Sequence, residues 1–506
     1  MLNRKRKLIL NSITSLAHQI ITLICGFILP RVILSNYGSA VNGLVSSITQ
    51  FLGFISLAEC GVGAVVQSCL YKPLAEGNDE EMSKIFISSE RFFKKVAYIL
   101  VAYTAFLMVA YPFVTVDSFD YLYTLILIFV ISISTFAQYY FGMTHRLLLN
   151  ADQLGFIQLT IHSVVLILNT VSCVLLMQNG ASIHVVKLTT SLIFITQPIL
   201  LSFISRRKYK IDKSIVLTEE PIKQKWNGLF QHISAVVLVN VDTVILTIFS
   251  TLENISIYAV YHLVVNGVKQ IVVSLTNGMQ AMLGNMLVKN EIETLKRTFD
   301  TFEWLMHTAV TIVFSATALL ILPFVSVYTK DINDVNYIVP AFGYLITIAQ
   351  ASYCLRVPYT SIILAAGHYK QTQNSTIIEV IINIVISIVL VFKFGLIGVA
   401  IGTLAAMLYR TCYCVWYLSR NIINRNLKYF FKHILVDAIS VIFTVFVFNF
   451  IPDFFIMKEI TYVSWFVLAI KVTVMIIVVS LVINLLFYGK FLFNLLKKDK
   501  KSQMIL

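Results

Sequence analysis

Long apolar runs recur along the whole chain, each ended by a short polar segment, and fourteen of them are long enough to cross a bilayer. A helix needs roughly 20 mostly apolar residues to cover the hydrocarbon core. Spans are predicted at 8–34, 41–67, 93–115, 119–145, 154–178, 182–205, 227–250, 256–288, 299–325, 334–366, 374–393, 395–419, 430–451 and 460–488. The runs are continuous and do not alternate over roughly ten residues, so they predict helices and not a barrel. The longest polar stretches, 68–92, 206–226 and 489–506, are too short for a soluble domain. The first, with Glu76, Asp79, Glu80, Glu81 and Lys84 among Ile85, Phe86 and Phe92, predicts a short amphipathic helix on the cytoplasmic surface. The second, with seven cations and Pro221, predicts a linker between halves.

Composition agrees with a membrane interior: 58% of residues are hydrophobic and mean hydropathy is +0.83, against about 45–50% apolar usage in soluble domains. Charge sets the orientation. Thirty cations fall in the termini and even-numbered connections, against Lys330, Lys393 and Lys458 in the others. The positive-inside rule therefore places both termini in the cytoplasm. The net charge of +14 is read as topogenic and lipid-facing, attracted to anionic head groups, and not as a nucleic-acid footprint. The first apolar segment carries His18 and Gln19 and continues into a series of spans, so it reads as a retained helix and not a signal peptide. The seven cysteines lie in or beside spans, without disulfide or zinc spacing. His18, His162, His232 and His307 show no metal-ligand spacing and read as core residues.

Span 7 aligns weakly on span 1. Arg31-Val32-Ile33-Leu34 falls on Thr243-Val244-Ile245-Leu246, and Asn42 falls on Asn254 at the same offset. Six helices per half is an even number, so both halves start on the same side and are related by an axis along the membrane normal. The organisation expected is an all-α integral membrane protein of about fourteen helices, built as two pseudo-symmetric six-helix lobes plus two C-terminal helices. The N-terminal lobe is 1–205, the cytoplasmic linker 206–226, the C-terminal lobe 227–420, and helices 13 and 14 with a basic cytoplasmic tail 421–506.

Charged groups at membrane depth usually face a bundle interior or an aqueous cavity. Here the cations Arg31, Lys187, Lys269, Arg356, Arg410 and Lys471 outnumber the anions Glu59, Asp242, Glu379 and Asp437. A cationic interior suits an anionic cargo, and the arginine fork suits phosphate. Arg31, Lys269, Arg356 and Arg410 are the candidate diphosphate ligands, with structural pairing to the anions as the competing reading; Lys187 and Lys471 read as packing residues. Pro358, two residues after Arg356, predicts a kink that aims Arg356 into a cavity. Glu59, Asp242 and Glu379 read either as a coupling-ion or gating set or as structural ion pairs. Arg31 and Asp242, near the outer ends of helices 1 and 7, are candidates for an outer latch. Gln138, Tyr139 and Tyr140 read as sugar contacts or as packing aromatics, and the four tryptophans as interfacial anchors. No GxxxxGKS or GxxxxGKT loop is present and no external loop is long enough for a polymerase site. The chain is therefore read as a transporter and not an enzyme, with no cofactor beyond a coupling proton or sodium ion.

Several segments carry a family resemblance: Tyr37-Gly38-Ser39-Ala40-Val41-Asn42-Gly43, Glu59-Cys60-Gly61-Val62-Gly63, Leu70-Tyr71-Lys72-Pro73-Leu74 and Leu148-Leu149-Asn150-Ala151-Asp152-Gln153. To these add Leu355-Arg356-Val357-Pro358-Tyr359, Ala365-Ala366-Gly367-His368-Tyr369-Lys370, Glu379 with Asn383, and Phe394-Gly395-Leu396-Ile397-Gly398-Val399-Ala400-Ile401-Gly402-Thr403. In this order and spacing they resemble the Wzx-type polysaccharide flippases of bacteria, within the multidrug/oligosaccharidyl-lipid/polysaccharide exporter superfamily. The resemblance implies alternating-access translocation of an undecaprenyl-diphosphate-linked oligosaccharide across the bacterial cytoplasmic membrane, for capsule, O-antigen or other exopolysaccharide. It implies lipid-linked oligosaccharide, the bilayer, a polysaccharide polymerase and other assembly proteins as partners, with no nucleic acid. Helices 13 and 14 would help to make a groove for the lipid tail. A peptidoglycan-precursor (lipid II) flippase is the close alternative; an ion-coupled multidrug exporter of the same superfamily would prefer an acidic cavity. Topology reporters fused at Lys213, Arg425 or Lys498 should report cytoplasm and those at Ser118 or Asp453 the outside; a cytoplasmic signal at Asp453 in an active fusion contradicts the fourteen-span topology.

Overall fold

A computed structural model describes residues 4–59, 61–217, 222, 229–274, 276 and 279–503, and among these it is helical with no strand. Cys60, Pro221, Lys223, Lys225 and Trp226 lie outside the described residues. The helices are α1 (Arg4–Gly53), α2 (Ser56–Glu59), α3 (Val62–Glu76), α4 (Asp79–Val114), α5 (Tyr121–Ala137), α6 (Met143–Ala151), α7 (Gly155–Gln178) and α8 (Ile183–Lys208). They continue as α9 (Leu229–Phe249), α10 (Leu252–Ser274), α11 (Met279–Val288), α12 (Ile292–Tyr328), α13 (Pro340–Ala365), α14 (Tyr369–Phe394), α15 (Leu396–Asn421), α16 (Lys428–Phe450) and α17 (Tyr462–Gln503). By internal contacts the chain divides into two compact units, Met1–Ile257 and Tyr258–Leu506.

Among the described residues, twelve helical stretches are long and apolar enough to cross a membrane. The first two spans expected from sequence run together as Arg6–Glu59, and α13, whose 26 residues include Arg356, Pro358 and Gln350, is polar for its length. With these two accounted for, the fourteen spans are recovered in a multi-pass membrane protein. The junction of spans 1 and 2 is Gly38, at φ 80° and ψ 179°, a conformation essentially reserved for glycine.

Four local expectations change, the first being span 8, expected as one run over 256–288 and divided between α10, ending at Ser274, and α11, starting at Met279. Span 2 is not one helix: α1 ends at Gly53, α2 is four residues, and Gly61 at φ 69° precedes α3. Span 4 contains a π-turn at Gln138–Gly142 between α5 and α6; such insertions re-aim side chains and recur at functional sites. The polar stretch 68–92 forms no separate surface helix, because α4 starts at Asp79 and runs unbroken for 36 residues. Asn78 caps it by accepting from Glu81 N at 3.0 Å, and Asp79, Glu80 and Glu81 fill its first turn, where acidic groups favour the helix dipole.

The weak sequence repeat has a structural counterpart. The break at Gly38 recurs at the equivalent place in the second half of the chain, where α9 stops at Phe249 and α10 starts at Leu252. Gly77 and Asn290, at nearly the same offset, are both left-handed. So are Gln153 and Gly367. Around that last pair the turns match bond for bond: Asp152, Gln153 and Leu154 N–H donate to Leu148, Asn150 and Leu149, and Ala366, Gly367 and His368 donate to Ile362, Leu364 and Ile363.

In the first unit the Leu148–Gln153 motif is the floor of a polar clamp. Lys7 Nζ donates to Asp152 Oδ1 and to its carbonyl, both at 2.8 Å. Tyr209 OH donates to Asp152 Oδ2 at 2.7 Å, and Asn11 bridges Gln153 O (2.9 Å) and Phe156 N (2.7 Å). One carboxylate thus ties the start of α1, the α6–α7 turn and the end of α8. Burial disfavours ionised Asp152, but the bonds from Lys7 and Tyr209 and the charges of Lys7 and Lys208 outweigh it and hold its carboxyl below the ordinary value. A depressed folded value means stability that is present above the unfolded value and lost as pH falls through the folded one. Asp152→Asn should cost about 1 kcal/mol at neutral pH, roughly 2 °C in thermal midpoint in detergent. The gap from wild type should narrow as pH falls below the unfolded value of about 3.9; a gap at about pH 3 as wide as at neutral pH contradicts the clamp.

Candidate functional site

In the second unit, α14 and α15 pack along stripes of residues four apart. On α15 the stripe is Gly398, Gly402, Ala406 and Arg410; on α14 it is Val391, Ser387, Asn383, Glu379 and Ser375. A Cβ at Gly398 would collide with Leu390 O, and one at Gly402 would stand 2.8 Å from Ser387 N. Only glycine permits that approach, the small-xxx-small device of membrane helices. It explains the Phe394–Thr403 motif and brings the polar ends of both stripes together. Asn383 Nδ2 donates to Thr403 Oγ1 at 3.2 Å.

At that end Glu379, 1% exposed, lies between two guanidinium groups. Arg356 of α13 donates through Nη1 to Glu379 Oε1. Arg410 Nε stands 3.7 Å from Glu379 Oε2, while its Nη1 donates to Thr372 O at 3.1 Å and to Ser375 Oγ. α13 is locked onto α15 by Thr411 Oγ1, which donates to Ser352 O at 2.9 Å. Tyr353, one turn before Arg356, offers its ring to two cations: Arg356 Cζ lies 4.6 Å and Lys269 Nζ of α10 5.1 Å from its centroid. Lys269 and Tyr353 are half-buried, more exposed than Arg356, Arg410 and Glu379. Three of the four cations expected to hold a diphosphate therefore meet at one place. The carboxylate expected to serve gating, Glu379, is their common partner. The kink reading of Pro358 changes accordingly: Arg356 is aimed at α14.

The other sequence candidates lie in the first unit. Asp242 is buried on α9 and Arg31 half-buried on α1; these helices pack through Ser47 and Thr247 hydroxyls 2.6 Å apart. Asn42 Nδ2 donates to Ser256 Oγ at 2.8 Å, and a Cβ at Gly43 would overlap Leu252 O, so the Tyr37–Gly43 motif is a junction of backbones. Glu59 ends α2, within electrostatic reach of Arg146 and His232. Of the π-turn residues, Gln138 is exposed and Tyr139 buried. Tyr140 stacks on Phe136 (5.4 Å between centroids) under Lys94, 5.3 Å from its ring.

Sequence reasoning missed a second buried polar cluster in the second unit. Glu303 of α12, fully buried, pairs with Arg425 Nη1 (2.5 Å) and accepts from Tyr359 OH (2.5 Å). His433 of α16 lies 3.4 Å from Glu303 and 2.7 Å from Tyr488 OH. His307 Nδ1 donates to Asp437 Oδ2 at 2.5 Å, and the two imidazoles stack at 4.8 Å, 24° from parallel. The signal was present: Glu303 and His307, like His433 and Asp437, are four apart and so share a helix face.

No family model matches the chain, and no curated protein sequence matches it. Its fold is similar to that of the lipid II flippase MurJ in an inward closed conformation, with TM-score 0.72 and 16% identity over 96% of this chain and 100% of that one. It is also similar to an inward-facing multidrug resistance MATE family transporter of the MOP superfamily, with TM-score 0.61 and 12% identity over 81% and 97% of the two chains. A variant of the Vibrio cholerae MATE transporter VcmN gives TM-score 0.57 and 13% identity over 83% and 99%. The chain thus has the fold shared by the lipid II flippase MurJ and the MATE transporters, built almost end to end.

Proposed function

We propose that this protein is a flippase of the bacterial cytoplasmic membrane, of the Wzx type, that moves undecaprenyl-diphosphate-linked oligosaccharide by alternating access, with both termini cytoplasmic. The observation that carries this reading is the cluster of Arg356, Arg410 and Lys269 around Glu379. Three cations against one carboxylate leave a surplus of two positive charges, which matches the two negative charges of a diphosphate diester. A cationic drug would be repelled there. Glu379 is the resident counter-charge, holding both guanidinium groups until phosphate oxygens replace it; the forks donate equally well to carboxylate or phosphate. Tyr353 and Lys269, the more exposed members of the cluster, receive the first phosphate. The exposed aromatic rows of α16 and α17, with Phe446, Phe450 and Phe466 all more than half exposed, suit the polyprenyl tail.

A lipid II flippase is the second reading, favoured by the fit to MurJ over nearly the whole chain. It uses the same diphosphate site and differs only in the sugar. Proteoliposomes carrying a fluorescent undecaprenyl-diphosphate glycan and a membrane-impermeant quencher test both, with the peptidoglycan precursor in one arm and another oligosaccharide in the second. Flipping should be lost in Arg356→Gln/Glu379→Gln, which removes charges as a pair, and reduced about 10- to 100-fold in Arg356→Lys, a loss of about 1.5–3 kcal/mol of charge-assisted bonding. Normal rates in both variants contradict the site. Flipping of the precursor alone selects the second reading.

A further inference from the structure

We propose that His307 is a proton-binding site separate from the cation cluster, and that α13 connects the two. The proposal rests on the reading of Arg356 as a diphosphate ligand. His307 Nδ1 is committed as donor to Asp437, so the neutral ring carries its lone pair on Nε2. That atom is buried and has no hydrogen-bond partner among the described residues. Nothing occupies that lone pair, so it is open to a proton, and the imidazolium charge so formed is answered by Asp437 through Nδ1. Arg425 is shared by Glu303 and Asp300, which leaves Asp437, 17% exposed, as the charge beside His307 without a lysine or arginine partner among the described residues.

Groups from every neighbouring element face the site. α12 contributes Asp300 and Glu303, α13 Tyr359, the 422–427 segment Arg425, α16 His433 and Asp437, and α17 Tyr488. Lys432, over the Tyr488 ring at 4.4 Å, and the half-exposed Lys296 complete the rim. His433 has both nitrogens engaged, by Glu303 and Tyr488. Charging both histidines would place two like charges in rings stacked at 4.8 Å. One proton arrives at His307 Nε2 and the pair with Asp437 becomes ionic.

The connection to substrate is short. Tyr359, which donates to Glu303, lies three residues from Arg356 on the same helix, and Pro358 between them removes one rung of the helix ladder. α13 therefore carries one residue of each cluster on adjacent turns. A change of charge at His307 and His433 bears on Glu303, and through Tyr359 on the segment that presents Arg356.

The experiment counts protons on the intact chain in lipid nanodiscs, with a pH-indicator dye, as pH falls from about 8 to about 5 across the imidazole range. His307→Asn, which keeps a donor for Asp437 but has no titrating nitrogen, should take up one proton fewer than wild type. His307→Asn/His433→Asn should lose no more than that. Uptake equal to wild type in His307→Asn, or a two-proton loss in the double variant, overturns the proposal. Should the variants fail to fold, ¹⁵N-histidine solid-state NMR of wild type decides it: one charged ring in the stacked pair supports the proposal, and two or none overturns it. In proteoliposomes His307→Asn should lose the response of flipping to an imposed pH gradient while binding inorganic pyrophosphate as wild type does. A retained gradient response overturns the coupling. Absence of pyrophosphate binding in wild type instead overturns the diphosphate site and leaves the proton count standing.

Discussion

The second unit depends on one constraint: two guanidinium groups and a carboxylate must share a space from which water is excluded. Each charge alone is expensive at membrane depth, and removing one partner of a buried pair costs roughly 3–5 kcal/mol. The approach of α14 to α15 across Gly398 and Gly402 makes the sharing possible. Without it Arg410 would not reach Glu379 or the Thr372 carbonyl. The glycines and the charges therefore form one device, with close backbones at one end of the helix pair and concentrated positive charge at the other.

α13 gains its importance from the same geometry. It delivers Arg356 to the triad, Tyr353 to Lys269 and Tyr359 to Glu303 within two helical turns. An element that touches two polar clusters is a physical route for coupling, provided that it has two arrangements. In the first unit the shared carboxylates, Asp152 and Glu90, pair with lysines and not with arginines among the described residues. When the two matching turns are aligned, Gln153 on Gly367, Arg356 falls on Gly142, whose Cβ position is taken up by Pro198, and Glu379 falls on Val165. The repeat supplies the scaffold twice and the charges of Arg356 and Glu379 once.

Much of this was legible in the sequence, and the unread parts have physical causes. Apolar runs locate spans because lipid demands internally bonded backbone, so the fourteen spans emerged without alignment. Hydropathy is blind to short breaks inside such runs, and so the interruption at Gly53–Gly61 and the π-turn at Gln138–Gly142 escaped. Arg356, Arg410 and Lys269 were legible as interior cations, but charge counting could not say that Glu379 would be shared between two of them. His307 was read as a core residue because its partner Asp437 is remote in sequence, and only tertiary packing stacks it on His433.

The central claim, that Glu379 is a counter-charge which a diphosphate displaces, is tested most directly by calorimetric titration of the purified protein with inorganic pyrophosphate. Removing a competing carboxylate should tighten binding: Glu379→Gln should bind pyrophosphate about tenfold more tightly than wild type, corresponding to about 1.4 kcal/mol. Affinity that is unchanged or weaker in Glu379→Gln contradicts the account, because the two guanidinium groups would then be serving the helix packing and not the ligand.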